Sequence, residues 1–118
     1  MATAQFEARV RDVAGVAVLD LEGEIDAGAE EALESAYAAA EDAATILLNF
    51  GGVDYINSTG IALIVGLLAR ARKNRQTVTA CGLSDHYREI FQITRLADFM
   101  TIFDDERSAL AEGSEGRE

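Results

Sequence analysis

Ile56-Asn57-Ser58-Thr59-Gly60 sets two adjacent hydroxyls and a glycine between an apolar strand pattern and the apolar run of residues 61–69. A strand should turn into a helix there. Ser58 is the expected N-cap, its oxygen facing backbone N–H groups that have no partner inside the helix. A phosphate on that hydroxyl would sit in the favourable field of a helix N-terminus and change the surface charge at the same point, which is the chemistry of a switch rather than of a catalytic centre. Thr59 is the competing hydroxyl, but it starts the helix and is expected to turn inward, so Ser58 is the preferred phosphoacceptor. Gly60 permits either close packing or close approach of a partner in the first helical turn.

Other reactive residues are sparse. Asp20, Glu22, Glu24 and Asp26 crowd the exit of the second expected strand, where they read as a solvated loop more readily than as paired catalytic carboxylates. His86 is the only imidazole, 28 positions beyond Ser58, and there is no G-x-S-x-G elbow. A small Ser58/His86 hydrolase is therefore the weaker reading, and a packed or surface histidine in the D-H-Y-R turn the stronger. One histidine and one cysteine give no ligand spacing, so no metal is expected. Gly51-Gly52 and Gly60 lack the phosphate-binding pattern and its lysine, and no nucleotide or other cofactor is expected. The expected set of catalytic residues is empty. Cys81 permits no internal disulfide and fits a reducing compartment, as a buried structural thiol.

With 10 Lys plus Arg against 21 Asp plus Glu, the 118-residue chain carries a formal charge of -11. That charge repels nucleic acid and anionic membranes, keeps a small apolar-rich domain soluble, and accommodates a basic face on a protein partner. Arg70, Arg72, Lys73 and Arg75 read as charges placed at a helix C-terminus. The run of residues 61–69 is too short to cross a bilayer and no secretory pattern opens the chain, so membrane insertion is not expected and cytoplasm is the expected location. The absence of proline and tryptophan argues against proline-rich linkers and aromatic carbohydrate platforms.

The surrounding pattern predicts one domain over residues 1–112 and a polar tail over 113–118. Residues 6–12 and 16–21 predict a hairpin turning near Asp12–Gly15. Ala29, Leu33, Ala36, Tyr37 and Ala40 repeat at helical spacing behind a cap at Asp26. Residues 44–50 predict a central strand that Gly51 and Gly52 break. The second helix, from Thr59 to about Asn74, presents Ile61, Ile64, Val65, Leu68 and Ala71 on one face, with Leu63, Leu67 and Gly66 broadening the stripe. Residues 77–82 predict a strand, Ser84 opens a short helix with Tyr87, Ile90 and Phe91 inward, a strand returns around Phe99–Ile102, and Asp104 or Asp105 starts a last helix through Leu110. The order implies an α/β fold: a mixed, mostly parallel sheet in two layers, with helices packed mainly on one face. The C-terminal ends of its parallel strands would bring Asp26, Asn57, Ser58 and Thr59 to one edge.

Gly23-Glu24-Ile25-Asp26, residues 45–50 (TILLNF), residues 52–60 (GVDYINSTG) and residues 93–103 (ITRLADFMTIF) together resemble the STAS domain family, the sulfate transporter and anti-sigma-factor antagonist group, and its free-standing bacterial members most. The resemblance implies the STAS fold and a domain that performs no catalysis itself. It also implies that Ser58 is phosphorylated by an anti-sigma factor that is a serine kinase, that a serine phosphatase removes the phosphate, and that the unmodified domain binds the kinase and so frees a sigma factor. Asp26, Asn57, Ser58, Thr59 and Gly60 are then the expected partner-binding residues, and a weak homodimer is compatible with the sequence. Family antagonists usually carry aspartate before the phosphorylated serine, whereas this chain has Asn57, which keeps hydrogen bonding but loses a negative charge. The alternative within the family is an interaction module that regulates an enzyme or transporter without switching.

Overall fold

The computed structural model describes residues 6–115; residues 1–5 of the expected domain and 116–118 of the expected tail lie outside the described residues. β1 (Glu7–Val13) and β2 (Val16–Ile25) form an antiparallel hairpin from Glu7 opposite Glu22 to Val13 opposite Val16. Ala14 and Gly15 turn it with φ of 54° and 86°, as a two-residue hairpin requires, and the Asp12 carboxylate accepts the Gly15 N–H at 3.2 Å. β3 (Thr45–Ile56), β4 (Thr77–Cys81) and β5 (Thr101–Phe103) continue the sheet in the order β1-β2-β3-β4-β5, with every pair after the first parallel.

Three helices cover one face: α1 (Glu30–Ala39), α2 (Ser58–Lys73) and α3 (Asp85–Ile93). Their Leu33, Ala36, Tyr37, Ile64, Leu67, Leu68, Ala71, Tyr87 and Phe91 pack on Ala17, Leu19, Leu21, Ile46, Leu48, Phe50, Val78 and Ala80. The alternate strand residues Val16, Val18, Leu47 and Cys81 face the other way, where Ala109 of α4 (Glu106–Glu115) closes a smaller core. Period-two alternation along strands buried on both sides thus sorts one sequence into two cores. Burial pushes the Cys81 thiol up to about 11, as suits a structural cysteine.

Several expectations need correction. The glycine pair does not end β3. The register slips between Asp20/Glu22 and Gly23/Glu24, so β3 bulges and keeps pairing as far as Ile56. Asn49 stabilises the first bulge by accepting the Gly51 N–H at 3.0 Å, and Gly82 (φ 80°) crosses so close that a side chain there would meet the Gly51 nitrogen at 2.6 Å. Phe99 is not in a strand: a 3₁₀ turn at Leu96–Asp98 precedes β5 and leaves Phe99 52% exposed. Val65 lies off the buried stripe of α2 at 47% exposure. The Asp26 cap opens a 3₁₀ turn (Ala27–Ala29) that leads into α1, and Asp105 caps α4, which extends past Leu110.

A side-chain network ties α1 to the loop after α2. Gln76 donates to the carbonyls of Ala40, Glu41 and Ala43, the last at 2.7 Å, and accepts from the Tyr37 hydroxyl at 2.6 Å. Asn74 donates to that hydroxyl at 2.7 Å, so the turn that follows α1 is tied to the connection between α2 and β4.

Candidate functional site

Ile25 and Ile56 are register partners at the ends of β2 and β3, so Asp26 and Asn57 leave adjacent parallel strands side by side. The Ile25 carbonyl accepts the Asn57 N–H at 3.2 Å. Asp26 turns its carboxylate back to the Gly28 N–H at 2.9 Å, which caps the 3₁₀ turn of its own loop. The sequence-predicted residues Asp26, Asn57, Ser58, Thr59 and Gly60 therefore fall at one sheet edge.

The N-cap is Asn57 and not Ser58. Asn57 has extended backbone, φ -94° and ψ -176°, and its amide oxygen accepts the Gly60 N–H at 2.8 Å. Ser58 is the first helical residue and is exposed. An amide one position earlier reaches the N–H three residues on with cap geometry, which a serine already in helical conformation cannot do. Thr59 is exposed as well, so the expectation that it turns inward does not hold. Both hydroxyls are open to solvent at the positive end of a 16-residue helix whose first turn carries no acidic residue.

Gly60 is packed tightly at the start of α2. It is buried, and a Cβ built on it would lie 2.0 Å from the Ile25 carbonyl oxygen. Absence of a side chain is what lets α2 start directly over the end of β2.

Tyr87 is the site residue that sequence reasoning missed. Helical spacing marks it as core, and its ring is buried, but its hydroxyl also accepts the Ile56 N–H at 2.9 Å and donates to the Ile56 carbonyl at 3.4 Å. α3 thereby holds the last residue of β3 just ahead of Asn57. The only sequence signal is a tyrosine, with its polar tip, at a position that needs an apolar ring. Ser84 fixes that helix as expected, accepting the Tyr87 N–H at 3.3 Å.

Asp20 belongs to a different cluster, and His86 is packed on a ring. Asp20 is engaged by Arg11 at 2.5 Å and by Asn49 at 2.9 Å, and the Arg11 hydrogen bond holds its carboxyl below the ordinary 3.8 against the opposing effect of partial burial. Arg11 also reaches Glu106 at 2.7 Å, so this cluster clamps α4 to the hairpin. His86 packs edge-on against Tyr87 with ring centroids 4.9 Å apart, and neither it nor Ser58 lines the grooves of about 190, 260 and 420 Å³ on the surface. Among the described residues no group of three or more His, Cys, Asp or Glu is placed to hold a metal ion, and no helix is long and apolar enough to cross a membrane.

One antiparallel and three parallel strand pairings, three helices on one face, and exposed hydroxyls opening the helix after β3 define an STAS-like α/β domain. The chain belongs to the STAS domain family, whose sequence pattern matches residues 6–109. It is 30% identical over 91 residues to BtrV of Bordetella bronchiseptica, across 75% of this chain and 76% of that protein. It is 37% identical over 57 residues to the anti-sigma-B factor antagonist of Staphylococcus aureus, 48% of this chain, so the match spans only about half (53%) of that relative. The Bacillus cell fate determinant SpoIIAA in its phosphorylated form shares the fold at a TM-score of 0.68 and 23% identity, over 91% of this chain and 97% of that one.

Proposed function

We propose that this domain is an anti-sigma-factor antagonist or a closely related partner-switching regulator, with Ser58 as its phosphoacceptor. Unphosphorylated, it binds an anti-sigma serine kinase through the Asp26 loop and the segment Asn57–Thr59. Transfer of a phosphoryl group from ATP to Ser58 ends that binding, and a serine phosphatase restores it. The kinase supplies nucleotide and magnesium, and the domain supplies the hydroxyl and the docking surface. The names of the S. aureus and Bacillus relatives support the role, one as an anti-sigma-B factor antagonist and the other as a protein seen phosphorylated.

The observation that carries the reading is the exposed Ser58 hydroxyl in the first turn of α2, directly after a cap that leaves it free. A phosphate there would carry about -1.5 to -2 charges and meet helix N–H groups. Asn57 suits it. The amide supplies the cap without a full negative charge beside the phosphate, so replacing the usual aspartate preserves the geometry and lowers repulsion. The added charge falls on an already acidic molecule and between loops that meet the partner, which favours release over any unfolding.

Incubation with ATP, magnesium and an active anti-sigma-type kinase from the same genome, read by intact mass and peptide mapping, tests the chemistry. A single phosphate on Ser58 that disappears in Ser58→Ala is the expected result. A phosphate on Thr59 instead, or unmodified protein after stable binding to that kinase, contradicts it, and the second outcome favours a non-switching interaction module.

A further inference from the structure

The second half of α2 and the segment after α3 enclose a surface groove of about 260 Å³ lined chiefly by Val65, Leu68, Ala69, Arg72, Leu96 and Phe99. Two of its walls are half-exposed hydrophobes, Phe99 and Val65. Its volume is below the ~300–1,000 Å³ typical of small-molecule pockets, which suits a few apolar side chains presented by a partner better than an enclosed ligand.

Charge around the groove runs against that of the molecule. Arg72 stacks over the Phe99 ring at 5.5 Å, and Arg75 joins Arg72 and Phe99 on the adjoining surface. Asp98 is also there, but Arg95 holds it at 2.8 Å. Arg9, Arg11, Arg70, Arg88 and Arg95 are each ion-paired. Among the described residues Arg72, Lys73, Arg75 and Arg107 are not, and the first three lie at this end of α2. Two of these unpaired cations, Arg72 and Arg75, beside exposed apolar walls in a chain with 21 carboxylates, form a surface of two matched chemistries.

We infer that this groove docks an acidic amphipathic segment of a protein partner, its apolar side chains seated between Val65 and Phe99 and its carboxylates meeting Arg72 and Arg75. A second copy of the chain is disfavoured, because two molecules of charge -11 repel. Ser58 and Arg72 are 14 residues apart on one helix, roughly 21 Å at 1.5 Å per residue. The groove is thus a separate surface from the phosphoacceptor edge and does not rest on that assignment.

Selection of a random 16-residue peptide library displayed on phage against the whole chain tests it, with the variants Arg72→Glu and Phe99→Ser, both surface changes, verified by unchanged melting. Enriched peptides should carry apolar residues spaced three or four apart with flanking Asp or Glu. Synthetic copies should bind wild type at least about tenfold more tightly than either variant, the loss usual for a central arginine or aromatic. Absence of enrichment, enrichment of basic peptides, or equal binding to Arg72→Glu overturns the inference. So does a concentration-dependent dimer in sedimentation that Phe99→Ser abolishes, since that assigns the groove to a second copy.

Discussion

The Tyr87 hydroxyl closes the end of β3 by accepting the Ile56 N–H at 2.9 Å, so a residue on α3 sets where the Asn57–Gly60 turn begins. Tyr87→Phe keeps the ring and removes this acceptor together with the longer 3.4 Å bond to the Ile56 carbonyl. A buried N–H left without an acceptor costs about 1–3 kcal/mol. Chemical denaturation should show a loss in that range, with slower phosphorylation of Ser58 by a given kinase; unchanged stability and rate would mean that water or relaxation replaces the contact.

Gly60→Ala puts a methyl 2.0 Å from the Ile25 carbonyl oxygen, a backbone atom that cannot rotate away. Overpacking of this kind costs about 1–3 kcal/mol. The thermal midpoint should fall and partner binding should weaken with it, because α2 must lift from the end of β2. An unchanged midpoint would show that the helix start is free to move.

Asn57 separates capping from charge. Asn57→Ala removes the acceptor for the Gly60 N–H and should cost about 0.5–2 kcal/mol. Asn57→Asp should stay within a few tenths of wild type while unmodified, since asparagine and aspartate cap about equally. Once Ser58 is phosphorylated, the Asn57→Asp protein should lose more stability than wild type through like-charge repulsion. Melting of the four forms checks this, and equal losses on phosphorylation would refute it.

The topology is largely legible in the sequence because it depends on coarse patterns. Loose alternation in residues 6–12, a continuous apolar run at 44–50 and helical spacing from Thr59 to about Asn74 each point to one element. The placement of Asp26 beside Asn57–Gly60 is legible too, since both segments follow directly from the ends of strands that pair in parallel. What stays hidden is set by single contacts. Whether Asn57 or Ser58 caps α2 depends on which residue keeps extended backbone, and two adjacent cap-forming residues give no preference. The Gly51–Gly52 bulge needs the register of β2 and the side chain of Asn49, which lie outside any local window. Tyr87 reaches Ile56 across 31 positions, so no spacing rule reveals it.

Acid should weaken the clamp on the other face. Asp20 is held below its ordinary value by Arg11, so its pairing contributes fully above the unfolded carboxylate range and is lost as pH falls through the lowered folded value. Stability should decline below about pH 4. Arg11→Met should flatten this acid limb and, as a partly exposed pair, reduce neutral stability by only about 1 kcal/mol or less. A limb of unchanged slope in Arg11→Met would assign the acid response to other carboxylates.

The most direct measurement is the affinity of the cognate anti-sigma kinase for the unmodified domain and for a homogeneous Ser58 phosphoform, compared by titration calorimetry at fixed ionic strength. The partner-switching account expects saturable binding by the first and at least about a hundredfold weaker binding by the second, equivalent to roughly 2.7 kcal/mol. Equal affinity of the two forms would contradict it.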